Sequence, residues 1–244
     1  GGEEHYQMMI RSTGINTPRY KRELLGEFTV SESMVLPDFD PEKHIVPEDR
    51  WPGKPTRFVH GGDFGWENPA ARLDIGMDDK GHVYVVSEFY QRHFPEHLLP
   101  QVFKRAVNHY KGSYVFPDPS SPGKVAALRA AGLPVWVRGI QRWGDSDDPT
   151  TGIGIMTWLL RNNLPNGSQR LYISPKCTHF KQEIESWVWP DDQRAEANRK
   201  EKPRSKADHL MDCFRYALMG MYALGWLSPK SSLAPQKYEA RFVA

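Results

Sequence analysis

The rhythm of apolar and polar positions changes several times along the chain. Through residue 56 no period persists, because Pro18, Pro37, Pro41, Pro47, Pro52 and Pro55 interrupt it. Only PRYKRELLGE, residues 18–27, predicts a short helix, with proline near its first turn; the rest predicts an extended arm. From Arg57 the period becomes two. RFVHGGDF predicts a strand running into a glycine-bracketed acidic turn, ARLDIGMD alternates as a half-buried strand does, and HVYVVSEFY predicts a third strand. Asp79-Lys80-Gly81 between the last two is a hairpin signal, so the three predict an antiparallel meander.

After Pro95 the period is helical to about Tyr110, with Leu98, Leu99, Val102, Phe103, Ala106 and Val107 on one stripe. SYVFPD predicts a strand ending at Asp118, SPGKVAALRAAG a helix stopped by Gly132, and LPVWV another strand. Residues 150–163 predict a helix, LYIS a strand, and THFKQEIESWVW a helix. The last helix is predicted from about Ala207 to Gly225, after a polar, charge-rich stretch over 190–206. The order β-β-β-α-β-α-β-α-β-α-α predicts one mixed sheet, the antiparallel three-strand meander plus parallel strands, with helices on both faces. It suits an RNase H-like α/β fold, in which ligands sit at the carboxyl ends of the central strands. The predicted division is an N-terminal arm or linker over 1–56, a folded domain over 57–227 and a tail over 228–244.

Composition narrows the picture. A chain of 244 residues, 39% hydrophobic and 25% charged, is large enough for a buried core and excludes wholesale disorder. Lys and Arg total 32 against 30 Asp and Glu, so any basic surface must be local. Two cysteines, Cys177 and Cys213, imply no disulfide scaffold and suit a reducing compartment. The longest uncharged apolar stretch, from Tyr216 to Leu227, falls short of the roughly 20 residues of a spanning helix. The polar start GGEEHYQ lacks a signal-peptide core and reads as a cut inside a longer protein.

Three acids fall where such a fold would gather them. Asp63 ends the first strand, Asp118 ends the fourth, and Asp208 opens the last helix. If the first and fourth strands are neighbours, their carboxylates converge and the helix delivers the third. Clustered like charges need neutralising, and oxygen ligands favour Mg²⁺ or Mn²⁺. Two such ions roughly 4 Å apart can activate water and stabilise a phosphodiester's leaving oxygen. His209 sits beside the acids, and Asp212 shares a helix face with Asp208. Leu210, Met211, Phe214, Ala217, Leu218 and Met221 form the opposite, core-facing stripe. Ordinary structural roles stay open: Asp63 and Asp118 as turn aspartates, Asp208 as the third residue of a capping box headed by Ser205, and His209 as a surface or capping histidine.

The segments GGDFGWENPAARLDIGMDDKGHVYVVSEFY, VFPDPSSPGKVAALRAAGLPV and KADHLMDCFRYALM resemble, in order and spacing, the acidic motifs of the nuclease domain of tailed-phage large terminase subunits. RYKRELLGEFT is similar to the segment that leads there from the ATPase, and the resemblance covers about residues 18–225. It implies an RNase H-like, two-metal endonuclease that cuts concatemeric viral DNA at the start and end of genome packaging. It implies Asp63 as the ligand bridging both metals, Asp118 as a further ligand, Asp208 or His209 as the third, and Asp212 at another acidic position. An activated water would be the nucleophile, with no covalent enzyme intermediate. The implied partners are double-stranded DNA, an ATPase domain in the full-length protein, the portal and the small terminase subunit. The implied location is the cytoplasm of an infected bacterial host, transiently at the procapsid portal. The chain departs from a complete terminase in lacking a G-x-x-x-x-G-K-[ST] loop, so no ATP hydrolysis is expected of it. The loop GIQRWGDSDDPTTG is acidic where some basic character would be expected.

Arg194, Arg199, Lys200, Lys202, Arg204 and Lys206 precede the third motif and are candidate phosphate contacts, sequence-independent and salt-sensitive. Asp191, Asp192, Glu196 and Glu201 dilute that charge, which also fits a solvated loop. Two other readings stay open. A junction resolvase or transposase-type enzyme would employ the same acids. A non-enzymatic DNA-binding or packaging module would instead hold zinc through Cys177, His179, His209 and Cys213, although the usual Cys-x-x-Cys spacing is absent.

Overall fold

The computed structural model describes residues 34–137, 148, 150–189, 203 and 208–229. Five strands form one sheet: β1 (Arg57–Asp63), β2 (Ala70–Met77), β3 (Val83–Gln91), β4 (Tyr114–Pro117) and β5 (Leu171–Ile173), in the order β4-β1-β2-β3-β5. The helices are α1 (Pro41–His44), α2 (Leu99–His109), α3 (Pro122–Ala130), α4 (Gly152–Arg161), α5 (Thr178–Ser186) and α6 (His209–Ala223). β1 to β3 make the predicted antiparallel meander. β4 adds parallel to β1, and β5 adds parallel to β3. The sheet is therefore mixed, as expected of an RNase H-like α/β fold.

Strand alternation divides the side chains between two faces. Val59, Ala71, Leu73, Ile75 and Phe116 enter the larger core, with buried residues of α4, α5 and α6. Ala70 and Val115 join a smaller core with Leu99 and Phe103 of α2 and Leu128 of α3. Helices thus cover both faces. The second face also holds a polar knot. His60 Nδ1 is bonded to Asp74 Oδ1 at 2.7 Å, and Arg72 donates to Asp74 at 2.8 Å and to the Val102 carbonyl of α2 at 2.7 Å. Burial works to raise the Asp74 carboxyl, but the His60 hydrogen bond and the Arg72 charge prevail and hold it at about 2.

Three sequence expectations change. LPVWV forms no ladder strand: Val135 makes one isolated parallel bridge to Val115, in a run that contains Pro134, which has no N–H to donate. The helix predicted through Trp189 ends at Ser186, and Val188 bridges Met34 instead. Residues 34–56 are not an extended arm. Val35 and Leu36 are buried in the larger core, Val46 N–H donates to the Ile173 carbonyl at 3.0 Å, and the Trp51 ring lies 4.7 Å from that of Tyr84. The packed unit reaches upstream to at least Met34. Its apolar residues there come singly between prolines, so they show no period. The helix predicted over 18–27 lies outside the described residues, as does the tail from residue 230. Among the described residues no helix is long and apolar enough to cross a membrane.

α6 crosses β1, β2 and β4. All six residues of its predicted core stripe, Leu210, Met211, Phe214, Ala217, Leu218 and Met221, are buried. The helix backbone rests directly on β1: a Cβ at Gly61 would lie 1.9 Å from the Cys213 carbonyl oxygen. Gly61→Ala is therefore expected to lower stability by about 1–3 kcal/mol, as overpacking does, and to lift α6 away from the sheet. Chemical denaturation measures this, and a variant as stable as wild type would contradict the contact.

Candidate active site

β1 and β4 run parallel, with Gly62 opposite Pro117. The next residues are Asp63 and Asp118, and Asp118 N–H donates to the Gly62 carbonyl at 2.8 Å. The two aspartates therefore leave adjacent strands side by side, at the carboxyl ends, as the predicted neighbouring of these strands required. α6 starts at the same end. His209 Nδ1 is bonded to Asp63 Oδ2 at 2.8 Å.

Each carboxylate is held by its own surroundings. Asp63 Oδ1 accepts from the Phe64 N–H at 2.9 Å. Asp118 Oδ1 accepts from the Ser120 N–H at 2.9 Å and the Tyr216 hydroxyl at 3.1 Å, and its Oδ2 accepts from the Ser120 hydroxyl at 2.5 Å. The turn-aspartate role of Asp118 is thus real, and it aims the side chain at α6. Asp212 is paired with Arg215, a guanidinium with no exposed surface that lies 4.5 Å over the Tyr216 ring.

Asp208 departs from the capping-box expectation. The helix begins at His209, so Asp208 stands at the N-cap, one position outside the helix, and its side chain makes no capping bond. Glu183 of α5 caps instead, its Oε2 accepting from the N–H groups of Leu210 at 2.6 Å and Met211 at 3.1 Å. Asp208 is buried, and burial raises its carboxyl pKa, with the charges of Asp212 and Asp63 adding to that. Burial works against protonation of His209, but the Asp63 hydrogen bond and charge, with Glu183 and Asp208, outweigh it and raise the imidazole.

Asp63, Asp118, Asp208, His209 and Asp212 thus belong to one end of the sheet. Among the described residues no three His, Cys, Asp or Glu side chains already form a cation cage. Asp63 is engaged by His209, Asp118 by Ser120 and Tyr216, and Asp212 by Arg215. The donor set nevertheless suits a hard divalent cation: four carboxylates and an imidazole, with burial and the charges of Asp212 and Asp63 pushing Asp208 toward protonation. The zinc arrangement is not realised. Cys177 and Cys213 are buried core residues, His179 Nδ1 is bonded to Glu88 at 2.8 Å, and His209 to Asp63. Arg194, Arg199, Lys200, Lys202, Arg204 and Lys206 lie outside the described residues, as does Ser205.

Sequence reasoning missed Glu183, Tyr216 and Arg215. Glu183 shares the buried stripe of α5 with Phe180 and Ile184, and an acid on an apolar stripe is the signal that marks it. Arg215 carries the same signal, being a charge inside the apolar run of α6.

In cation-free protein, NMR titration of His209 should show a pKa above the usual value of about 6.5, and Asp63→Asn should bring it down. A His209 titration unchanged by Asp63→Asn would contradict the pairing.

No protein-family model matches the chain, and no curated protein does. Solved structures do. A large terminase from a thermophilic bacteriophage aligns over 90% of this chain and 52% of its own, at 23% identity and a TM-score of 0.62. The chain therefore spans about half the length of that protein. The large terminase nuclease domain of phage P22 aligns over 80% of this chain and 95% of its own, at 14% identity and a TM-score of 0.58. The large terminase nuclease of thermophilic phage G20c with bound magnesium aligns over 77% and 97%, at 13% identity and a TM-score of 0.55. What these likenesses establish is the fold, and that fold is the RNase H-like α/β architecture shared with phage large-terminase nuclease domains.

Proposed function

We propose that this chain is a metal-dependent DNA endonuclease, the nuclease part of a viral genome-packaging enzyme. The observation that carries the reading is the meeting of Asp63, Asp118 and the start of α6 at the carboxyl ends of β1 and β4. The fold neighbours support it: they are large terminases, one a nuclease domain with bound magnesium.

Asp63 would bridge two Mg²⁺ or Mn²⁺ ions, Asp118 and Asp208 or His209 would complete the two sites, and Asp212 would contribute a further oxygen. When bound, divalent cations neutralise the clustered carboxylates and supply Lewis acidity toward water and the phosphodiester. The chain's own residues orient the donors. Ser120 and Tyr216 fix the Asp118 carboxylate, and Arg215 fixes Asp212. With Nδ1 bonded to Asp63, His209 would offer Nε2 to a cation, the arrangement in which a carboxylate fixes the tautomer of a ligating imidazole. Burial opposes protonation of His209, but the Asp63 hydrogen bond and charge raise its pKa, so a cation would compete with a proton for the imidazole.

The wider setting belongs to the same proposal. Arg194, Arg199, Lys200, Lys202, Arg204 and Lys206 would grip the phosphates of double-stranded DNA without sequence preference. The full-length protein would add an ATPase domain, and the portal and small terminase subunit would direct cutting of concatemeric DNA. That work takes place in the cytoplasm of the infected bacterium, transiently at the procapsid portal.

Plasmid cleavage by wild type and folded Asp63→Ala, with Mg²⁺, Mn²⁺ or EDTA, tests the reading. Wild type should cut linear and circular duplex with little sequence preference, and EDTA should abolish it. Asp63→Ala should lose more than the roughly 10–100-fold that removal of an outer partner causes. Equal cleavage by both proteins would contradict the assignment of the site. Cuts confined to branched DNA, or joined strands, would point to a resolvase or transposase-type enzyme.

A further inference from the structure

Two helix starts near the site share one construction. Cys177 stands at the N-cap of α5 and Asp208 at that of α6, and neither of these residues caps its helix with its side chain. In each case a glutamate from another element of the fold supplies the cap. Glu88 of β3 accepts from the N–H groups of His179 at 3.0 Å and Phe180 at 2.9 Å, and from His179 Nδ1 at 2.8 Å. Glu183 of α5 accepts from the N–H groups of Leu210 and Met211. A helix N-terminus leaves its first N–H groups unsatisfied, and a carboxylate there gains from both hydrogen bonding and the helix dipole.

The second cap is an unusual solution. Aspartate is among the best N-cap residues, and Asp208 occupies the N-cap position itself. A local cap would have been simpler than burying a glutamate that is 3% exposed. Burial pushes the Glu183 carboxyl up to about 7, against the helping bonds from Met211 and Leu210. Handing the cap to Glu183 leaves the Asp208 carboxylate out of the helix's own hydrogen bonding. It also ties the first turn of α6 to α5, and through Glu88 to β3.

We infer that Glu183, backed by Glu88, is a positioning residue that sets His209 against Asp63 and keeps Asp208 available to the site. The inference rests on the nuclease reading only for its consequence in metal binding. The hydrogen bond it governs exists in the cation-free protein.

The test uses the whole chain with Glu183→Ala and Glu183→Gln, the latter keeping length and one acceptor oxygen. Three readouts are followed: hydrogen exchange at the Leu210 and Met211 amides, the NMR signal of the His209 Nδ1 proton, and Mn²⁺ affinity by calorimetry. Glu183→Ala should lose protection at both amides, lose the hydrogen-bonded His209 signal, and bind Mn²⁺ about 10–100-fold more weakly. Glu183→Gln should restore all three to within a few-fold of wild type. If Glu183→Ala does not fold, Glu183→Asp, one methylene shorter, takes its place with the same expected losses. A variant that melts lower yet keeps the His209 signal and the amide protection would overturn the inference, leaving Glu183 a merely stabilising residue. Wild type that shows the His209 bond but binds no Mn²⁺ would defeat the nuclease reading instead, and the first two readouts would still decide the role of Glu183.

Discussion

The site depends on how closely one helix lies on one strand. At Gly61 the backbone of α6 and the backbone of β1 are in direct contact, with no room for even a methyl group between them. Two residues further along β1 stands Asp63, and one turn back along α6 stands His209. The 2.8 Å bond between them follows from that contact. A larger residue at position 61 would hold the helix off and open the gap between the strand-end aspartates and the third motif. The apolar stripe from Leu210 to Met221 provides the burial that presses the helix down.

Against this attraction works the repulsion of the acids brought together. Asp63, Asp118, Asp208 and Asp212 gather at one end, and the protein answers with local partners: His209, the Ser120 and Tyr216 hydroxyls, and the buried Arg215. Asp208 has the weakest answer, and burial beside Asp212 and Asp63 drives its carboxyl toward protonation. A site so built would gain from a bound cation. The same partners that quiet the charges also aim them. The turn bond that makes Asp118 an ordinary loop aspartate is the bond that directs it toward the helix.

Most of the sheet was legible because its strands alternate cleanly and its hairpin carries a turn signal, Asp79-Lys80-Gly81. The last helix was legible from its stripe, and Asp63, Asp118 and His209 followed from where the elements end. Residues 34–56 were not legible, because single apolar residues between prolines produce no period even when, like Val35 and Leu36, they are buried. LPVWV reads as a strand by composition, but a ladder needs a paired partner and Pro134 removes a donor. Nor did local sequence reveal who caps α6. Ser205 and Asp208 have the spacing of a capping box, while the actual cap comes from Glu183, 27 residues away in the chain. Contacts between distant segments are what a one-dimensional pattern lacks. The hint in this case was an acid on an apolar stripe.

The most direct measurement is a crystal structure of the chain with Mn²⁺, read through the metal's anomalous scattering. The account expects peaks bounded by Asp63, Asp118 and either Asp208 or His209. Ordered side chains at that end of the sheet with no peak among them, or Mn²⁺ bound elsewhere on the protein alone, would contradict it.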